Sequence, residues 1–348
     1  GWILVTAGNP PEYNKSVRDF DIVTLDRLKR IEIEPDYETW KEYAYKKGVH
    51  ASVMTYLAAR KKDFYKIENT ADGKHFVTAR GWDDLSEMIK LYEENGLAVD
   101  EQLICQYLQD ARISKDFAIY YDLFNKYRSD YQVEKILDGT VSESIVLRAE
   151  RACMDERLSL LGLIFDSVTA QLRTVCEREN ILDLVTGQLK ALKEKLKDVS
   201  GAAALLSEMI EAERGKQSSS ISPQAQRETR FMLEYLEEFR AAVMQSGTAQ
   251  KDEFSVVRES FAQKVAELKG LAADGSRGLE NVFLFCEKAF ADGDEILIFV
   301  TELTANYYSA RFIGRYGCDK YYMHNKQLQF DQRQQEIIKR MDEIQWTV

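Results

Sequence analysis

Helix-breaking residues are scarce in this sequence, which has only four prolines and eighteen glycines in 348 residues. In a helix interior, proline costs about 3 kcal/mol and glycine about 1 kcal/mol relative to alanine, so a chain poor in both favours long helices. Hydrophobic residues make up 45% of the chain, enough to build cores and to exclude a disordered protein. The composition therefore predicts a mostly α fold.

Positive charge is also in deficit, because 47 basic residues face 58 acidic ones and leave a formal net charge of −11. This balance opposes the electrostatic attraction that drives binding to nucleic acids and to anionic lipids. No uninterrupted apolar run approaches the roughly 18 residues of a membrane-spanning helix. We therefore expect neither a nucleic-acid partner nor membrane insertion.

Cysteine pairs and metal-ligand motifs are missing too. The five cysteines show no CxxC spacing, which fits a reducing cytoplasm better than a disulfide framework. His50, His75 and His324 are far apart in the chain, so we expect no metal site. Cys318 and His324 are six residues apart, a spacing that carries no mechanism by itself. The aromatic residues between 307 and 330 favour packing between helices, with a partner-binding surface as the alternative.

The first residues have the pattern of an α/β core. Residues 2–7 form a short apolar run typical of a parallel strand covered on both faces. Because such a strand seldom opens a protein, we expect Gly1 to be an internal point of a longer chain. A breaker cluster at 8–11 follows, then a helical turn around Val23–Leu28 and a second predicted strand at 31–34.

Helical periodicity begins after Pro35. Asp36 is a plausible N-cap for a helix whose apolar positions are Trp40, Tyr43 and Ala44. We predict a second helix from His50 to Ala59 and a small hairpin within 63–77. A third helix is predicted from Thr78 to about Glu94, where Asn95 and Gly96 end it.

Beyond residue 100 the pattern predicts helices alone. Three stripes have the three- and four-residue spacing of a coiled coil or an antiparallel helical hairpin. They are Val185, Leu189, Leu192, Leu196 and Val199; Met232, Leu236, Phe239 and Val243; and Phe254, Val257, Phe261, Val265 and Leu268. Polar joints are predicted at Gly215–Pro223 and Gln245–Asp252. Ile296, Val300, Leu303 and Tyr307 continue a further helical stripe.

Three polar features near the start suit phosphate chemistry. Asn9 directly follows the predicted strand, where a carboxamide can hold a water from both its donor and its acceptor. Arg27, with Arg18 nearby, has the always-charged, forked guanidinium that stabilises a transferring phosphoryl group. Arg80 opens the third predicted helix. The structural alternatives are an Asn-Pro turn, an Arg27–Asp26 ion pair and a solvated or ion-paired Arg80.

The order strand-Asn, Leu-Asp-Arg and helical segment opening on Arg resembles the MoxR-like branch of the AAA+ ATPases. The resemblance implies that Asn9 is the sensor-1 residue and that Arg27 is the arginine finger, with Arg18 as the competing candidate. It implies that Arg80 is the sensor-2 residue. The cofactors implied are ATP and Mg²⁺, bound at subunit interfaces of a ring, which is expected to be a hexamer. The implied activity is chaperone-like remodelling, often beside a partner with a von Willebrand factor A domain.

The motifs that bind ATP and Mg²⁺ in such a site are missing from the sequence. There is no G-x-x-x-x-G-K-[ST] loop, because Gly215-Lys216-Gln217-Ser218 lacks both a preceding strand and the upstream glycine. No strand ends in Asp-Glu, the pair that would hold Mg²⁺. We therefore expect these segments to lie upstream of Gly1, and the present chain alone to be inactive in hydrolysis.

The resulting prediction divides the chain into five parts. They are a short C-terminal remnant of a parallel α/β P-loop AAA+ core at 1–35, a helical lid at 36–98, a helical region at 99–214, a linker at 215–224 and a helical hairpin or bundle at 225–348. The alternative function is a helical scaffold or interaction module with a vestigial or regulatory nucleotide site.

Overall fold

The computed structural model describes residues 5–8, 22–27, 29, 31–70, 73–197, 201–215, 223–247, 253–291 and 293–326. The chain divides into a unit comprising Gly1–Asp36 and a unit comprising Tyr37–Val348. In the first unit the described helix is α1 (Ile22–Arg27), which matches the helical turn predicted around Val23–Leu28.

The strands predicted in the first unit are not found among its described residues. Residues 5–8 and 31–36 have no regular secondary structure. Val5, Ile31 and Ile33 are 86%, 81% and 90% exposed. An extended segment becomes a strand only when a neighbouring strand takes up its backbone hydrogen bonds, and the described residues of this unit contain no strand. The prediction of a strand at 31–34 is therefore wrong for this structure, and residues 2–4 of the first predicted strand lie outside the described residues.

The second unit is mostly helical, as the composition predicts. Its named helices are α2 (Tyr37–Lys47), α3 (Ala51–Ala59), α4 (Ala79–Glu94), α5 (Glu101–Tyr107), α6 (Ala111–Tyr131), α7 (Val133–Leu137), α8 (Glu143–Arg151), α9 (Met154–Lys195), α10 (Ala202–Gly215), α11 (Pro223–Ser246), α12 (Glu253–Ala289), α13 (Glu295–Ala305) and α14 (Tyr307–Tyr316). A single 3₁₀ turn, Lys61–Asp63, follows α3. Residues 319–326 are also helical.

The predicted hairpin is present in the second unit. Strand β1 (Lys66–Thr70) pairs antiparallel with β2 (Gly73–Val77), and Lys66 lies opposite Val77. An isolated bridge joins Phe76 to Gln109 just before α6. Val77 is fully buried, so the hairpin closes over the apolar core beneath it.

The first core of this unit lies between α2 and α6. It contains Trp40 and Ala44 of α2, the fully buried Trp82 of α4 and Phe117 of α6. Tyr43, predicted on the apolar face of α2, is instead 49% exposed. The predicted boundary between 98 and 99 falls inside this core, because α5 and α6 supply Ile104 and Phe117 to it.

A second core is organised by α9, a helix of 42 residues. At 1.5 Å of rise per residue it is roughly 60 Å long. Its N-terminal half packs with α7, α8, α12 and α13 around Leu160, Ile164 and Val168. Among the described residues, α9 alone is long and apolar enough to cross a membrane, and half of its most apolar window is buried.

The three predicted stripes meet in a third core at the far half of α9. Val185 and Leu192 of α9 pack with Leu206 of α10, Leu236 of α11 and Val257 of α12. Val199 lies outside the described residues. Helix α10 ends at Gly215 and α11 starts at Pro223, which are the ends of the predicted linker. The stripes therefore identify three helix segments that pack together, whereas a regular coiled coil stays a prediction.

The last helices differ in one respect from the predicted stripe. Ile296, Val300 and Leu303 are buried on α13, but Tyr307 is 47% exposed. Helix α13 ends at Ala305, and Asn306 in extended backbone caps α14 by accepting from the amides of Tyr308 and Ser309. This break turns Tyr307 away from the stripe. The aromatic region packs in part, since Tyr308, Phe312 and Tyr321 are buried while Tyr316 and Tyr322 are exposed.

Candidate functional site

The start of α4 places Arg80 on the surface of the second unit. Thr78 is the N-cap, and its hydroxyl accepts a hydrogen bond of 3.2 Å from the amide of Gly81. Arg80 is the second residue of the helix and is exposed. Its guanidinium makes no hydrogen bond or ion pair with any described residue. Of the two alternatives for Arg80, the structure therefore has the solvated one.

The residues that follow Arg80 fix the helix rigidly. The indole of Trp82 donates to the carbonyls of Asp63 and Phe64 at 3.3 and 3.2 Å. A Cβ on Gly81 would lie 2.7 Å from the carbonyl oxygen of Tyr107, so only glycine allows this approach of α4 to α5. Arg80 is thus an uncompensated cation on a well-packed helix start, where the helix dipole also favours an anion.

Arg27 is the last residue of α1 and is exposed. Within the described part of its unit it forms no ion pair with Asp26 or with any other residue. Asn9 and Arg18 lie outside the described residues. Arg27 and Arg80 belong to different units.

Arg60 and Arg112, by contrast, have carboxylate partners. Arg112 pairs with Asp63 at 2.7 Å and with Asp116 at 3.3 Å, and Arg60 also reaches Asp116 at 3.2 Å. The hydroxyl of Tyr56 donates to the buried carboxylate of Asp63 at 3.1 Å. The two arginines and the two aspartates line a cleft together with Lys61 and Lys62. Because its arginines already have carboxylate partners, this cleft offers less free positive charge than its composition suggests.

A polar chain at the start of α3 was not foreseen from the sequence. His50 caps α3 and lies 3.3 Å from a carboxylate oxygen of Glu93, and Tyr121 donates to the same carboxylate at 2.8 Å. The hydrogen bond with His50 is the main reason that the pKa of Glu93 lies below its ordinary value. Nearby, burial raises the pKa of Asp166, while His50 and Arg173 act in the opposite direction. These groups lie on four elements, so no local sequence motif could reveal them.

A buried carboxylate, Glu179, links α9 to α14. It receives Arg311 at 3.2 Å, Arg315 at 3.1 Å and the hydroxyl of Tyr316 at 2.5 Å. Burial first and Glu179 second raise the pKa of Tyr316 to about 12. These contacts fasten α14 to α9.

Metal-ligand and thiol chemistry find little support in the described residues. No group of three or more His, Cys, Asp or Glu side chains there is arranged to hold a metal ion. The five cysteines are free thiols, and burial raises the pKa of Cys176 to about 11. The unpaired positive charge of Arg80 could attract a nucleotide phosphate, but the described residues include no glycine-rich phosphate-binding loop.

Comparison with known proteins adds no relative, because no family model, curated protein or solved structure matches this chain.

Proposed function

We propose that this chain is the C-terminal part of a MoxR-like AAA+ ATPase that couples ATP binding and hydrolysis to remodelling of a partner protein. The observation that carries the proposal is the order of Asn9, Arg27 and Arg80 along the chain. The exposed, unpaired Arg80 on a rigid helix start supports it, because a sensor arginine must be free to meet phosphate charge.

The proposed roles follow from the chemistry of each side chain. Asn9 orients the attacking water through its carboxamide. Arg27, or Arg18 in its place, stabilises charge that develops on a phosphoryl group bound by a neighbouring subunit. Arg80 neutralises phosphate charge and links it to the packed helices that follow. ATP and Mg²⁺ supply the leaving group and its charge compensation, and this chain contains no G-x-x-x-x-G-K-[ST] loop to hold them.

The assembly proposed with this function is a cytoplasmic ring, a hexamer in the closest analogy, with a von Willebrand factor A domain protein as a candidate partner. The helices from α5 onward are proposed as the arm that recruits it. The net charge of −11 supports a protein partner over nucleic acid.

The second candidate is a helical scaffold whose nucleotide site is vestigial or regulatory. It is favoured by one observation: helices packed around shared cores account for most of the described residues from Tyr37 onward. The residues encoded upstream separate the two candidates. A glycine-rich lysine loop and a strand ending in Asp-Glu would support the ATPase, and their absence would support the scaffold.

Arg80→Ala in the parent protein tests the proposed sensor directly. We expect weaker nucleotide binding and slower ATP turnover, because a cation facing the phosphates is lost. The free energy of unfolding should change by less than about 0.5 kcal/mol, since the guanidinium of Arg80 has no partner to lose. The matched control is Arg60→Ala, which removes an arginine already paired with Asp116. Equal nucleotide affinity and turnover in the Arg80 variant and the wild type would remove Arg80 from the site.

A further inference from the structure

The cleft beside the end of α3 has a volume of about 650 Å³ and more positive than negative side chains. Its charged lining consists of Arg60, Lys61, Lys62 and Arg112 on the positive side and Asp63 and Asp116 on the negative side. Four cations against two carboxylates leave an excess of two positive charges, in a chain whose net charge is −11. Sites for small molecules measure roughly 300–1,000 Å³. The size of the cleft therefore admits a small molecule, and its charge favours an anion.

The two arginines of the cleft are oriented by buried side chains. Asp63 is 1% exposed, and one of its oxygens lies 2.7 Å from Nη2 of Arg112. The other oxygen accepts from the hydroxyl of Tyr56 at 3.1 Å. The same tyrosine supports Arg60, whose guanidinium carbon lies 5.4 Å from the centre of the Tyr56 ring. Both guanidiniums are thus preorganised, which lowers the entropy lost when they bind a ligand.

One oxygen of Asp116 brings the two arginines close together. Nη1 of Arg60 lies 3.2 Å from Oδ2 of Asp116, and Nη1 of Arg112 lies 3.3 Å from the same oxygen. The two nitrogens are therefore no farther apart than the sum of these distances, about 6.5 Å. Like charges at this separation repel each other unless an anion lies near both. Asp116 supplies that anion in the described state.

The carboxylates leave much of the binding capacity of these cations unused. A guanidinium has five N–H donors, and the bonds to Asp63 and Asp116 involve one donor of Arg60 and two of Arg112. Arg60, Arg112 and Asp116 are 48%, 51% and 35% exposed, so the pairs with Asp116 are of the weak, solvent-screened kind. Lys62 is exposed and has no partner among the described residues.

We propose that this cleft binds a phosphate group through Arg60, Arg112 and Lys62. A phosphate monoester carries a charge of about −1.5 to −2 at pH 7, which matches the excess of two cations. The forked guanidiniums suit phosphate oxygens, which compete with Asp116 for them. Lys61 contributes less, because it already pairs with Glu38. The volume of the cleft favours phosphate carried by a small organic molecule over the free ion.

This site is independent of the proposed ATPase function. Arg60, Arg112 and Lys62 have no role in the nucleotide site proposed above, and the experiment below needs no ATP hydrolysis. The end of α3 gives some of the cations a structural explanation as well, because the negative end of a helix dipole favours positive charge. That explanation predicts a loss of stability when the cations are removed, but no bound ligand. Ligand binding is therefore the property that separates the two explanations.

Isothermal titration calorimetry of the purified full chain with phenyl phosphate tests the site at low ionic strength, where electrostatic binding is strongest. We expect Arg60→Gln and Lys62→Gln each to weaken binding by about threefold or more, because each removes a cation. Asp116→Asn should instead tighten binding by about threefold or more, because it removes the carboxylate that competes with the phosphate. Arg112 is left intact, since its loss would strip the buried Asp63 of its cation.

The matched control is Arg214→Gln. Arg214 is 51% exposed, as Arg112 is, and it also pairs with two carboxylates, those of Glu211 and Glu237. Its variant should therefore keep the affinity of the wild type. The site would be overturned by a wild-type chain that binds no phenyl phosphate at concentrations up to about 10 mM. It would also be overturned by an equal loss of affinity in Arg214→Gln, or by no gain in Asp116→Asn.

A parallel titration with inorganic phosphate identifies the source of the phosphate group. Weaker binding of inorganic phosphate than of phenyl phosphate would assign the cleft to a phosphorylated organic molecule. Equal binding of the two would assign it to the free ion. Either result, with the expected responses of the variants, supports a phosphate site.

Discussion

At the scale of single residues, the features that position Arg80 lie next to it in the sequence and can be predicted from it, whereas the partners of buried charges cannot. Three neighbours of Arg80 in the sequence position the start of α4. Thr78 caps the helix, Gly81 allows its close contact with the backbone of Tyr107, and Trp82 anchors it by a hydrogen bond to Asp63. By contrast, the carboxylates of Asp63 and Glu302 meet partners far along the chain. Sequence periodicity identifies a buried face but does not say which charge it will meet.

The ionisation of Asp110 makes the stability of the fold depend on pH, which provides a test at the residue scale. It caps α6 by accepting from the amides of Arg112 and Ile113, and its carboxylate lies 2.8 Å from the ammonium of Lys66. Burial alone would raise its pKa, but the hydrogen bonds from Lys66, Ile113 and Arg112 hold the pKa below the ordinary 3.8. A lowered folded-state pKa means stability that is present above pH 3.8 and lost as the pH falls through the folded-state value.

We therefore expect Asp110→Asn to flatten the acid limb of the stability curve, since asparagine keeps the cap but cannot titrate. Lys66→Met should flatten the same limb in part. Urea unfolding at a series of pH values below 5 measures both. An acid limb as steep in Asp110→Asn as in the wild type would contradict the assignment.

At the scale of elements, the helices follow from the sequence and the strands of the first unit do not. A helix satisfies its own backbone, so apolar spacing and caps suffice to predict α2, α3 and α4 closely. A strand needs a neighbouring strand, and the described residues of the first unit contain no strand. Tyr307 fails for another reason, because Asn306 starts a new helix and resets the period.

Two glycine-to-alanine substitutions in helices should change the free energy of unfolding in opposite directions. Gly81→Ala places a Cβ 2.7 Å from the backbone oxygen of Tyr107, and such overpacking costs about 1–3 kcal/mol. Gly187→Ala adds a Cβ in the interior of α9 with nothing within 4 Å, so it should stabilise by about 1 kcal/mol through helix propensity. Equilibrium denaturation measures both. A Gly81→Ala variant that is as stable as the wild type or more so would contradict the close contact between α4 and α5.

At the scale of the whole second unit, α9 is the element that successive cores share. Its first half lies in the core with α12 and α13, its middle packs with α14, and its second half joins α10 and α11. The stripes on α9, α11 and α12 predict that these helices bury apolar faces. They do not predict which helices meet, because the partners are separated by long stretches of chain. Of the four predicted site residues, the structure describes Arg27 and Arg80 and leaves Asn9 and Arg18 outside.

The central claim, a ring ATPase with a finger from this chain, is tested by steady-state ATP hydrolysis of the parent protein and its Arg27→Ala, Arg18→Ala and Arg258→Ala variants. Arg258 is an exposed arginine of α12 without a partner among the described residues, so its variant is the matched control. We expect turnover in the parent, a loss of about 10³-fold or more in one of the first two variants with nucleotide binding nearly intact, and no change in the control. A folded parent that hydrolyses no ATP, even with candidate partners added, would contradict the claim and favour the helical scaffold.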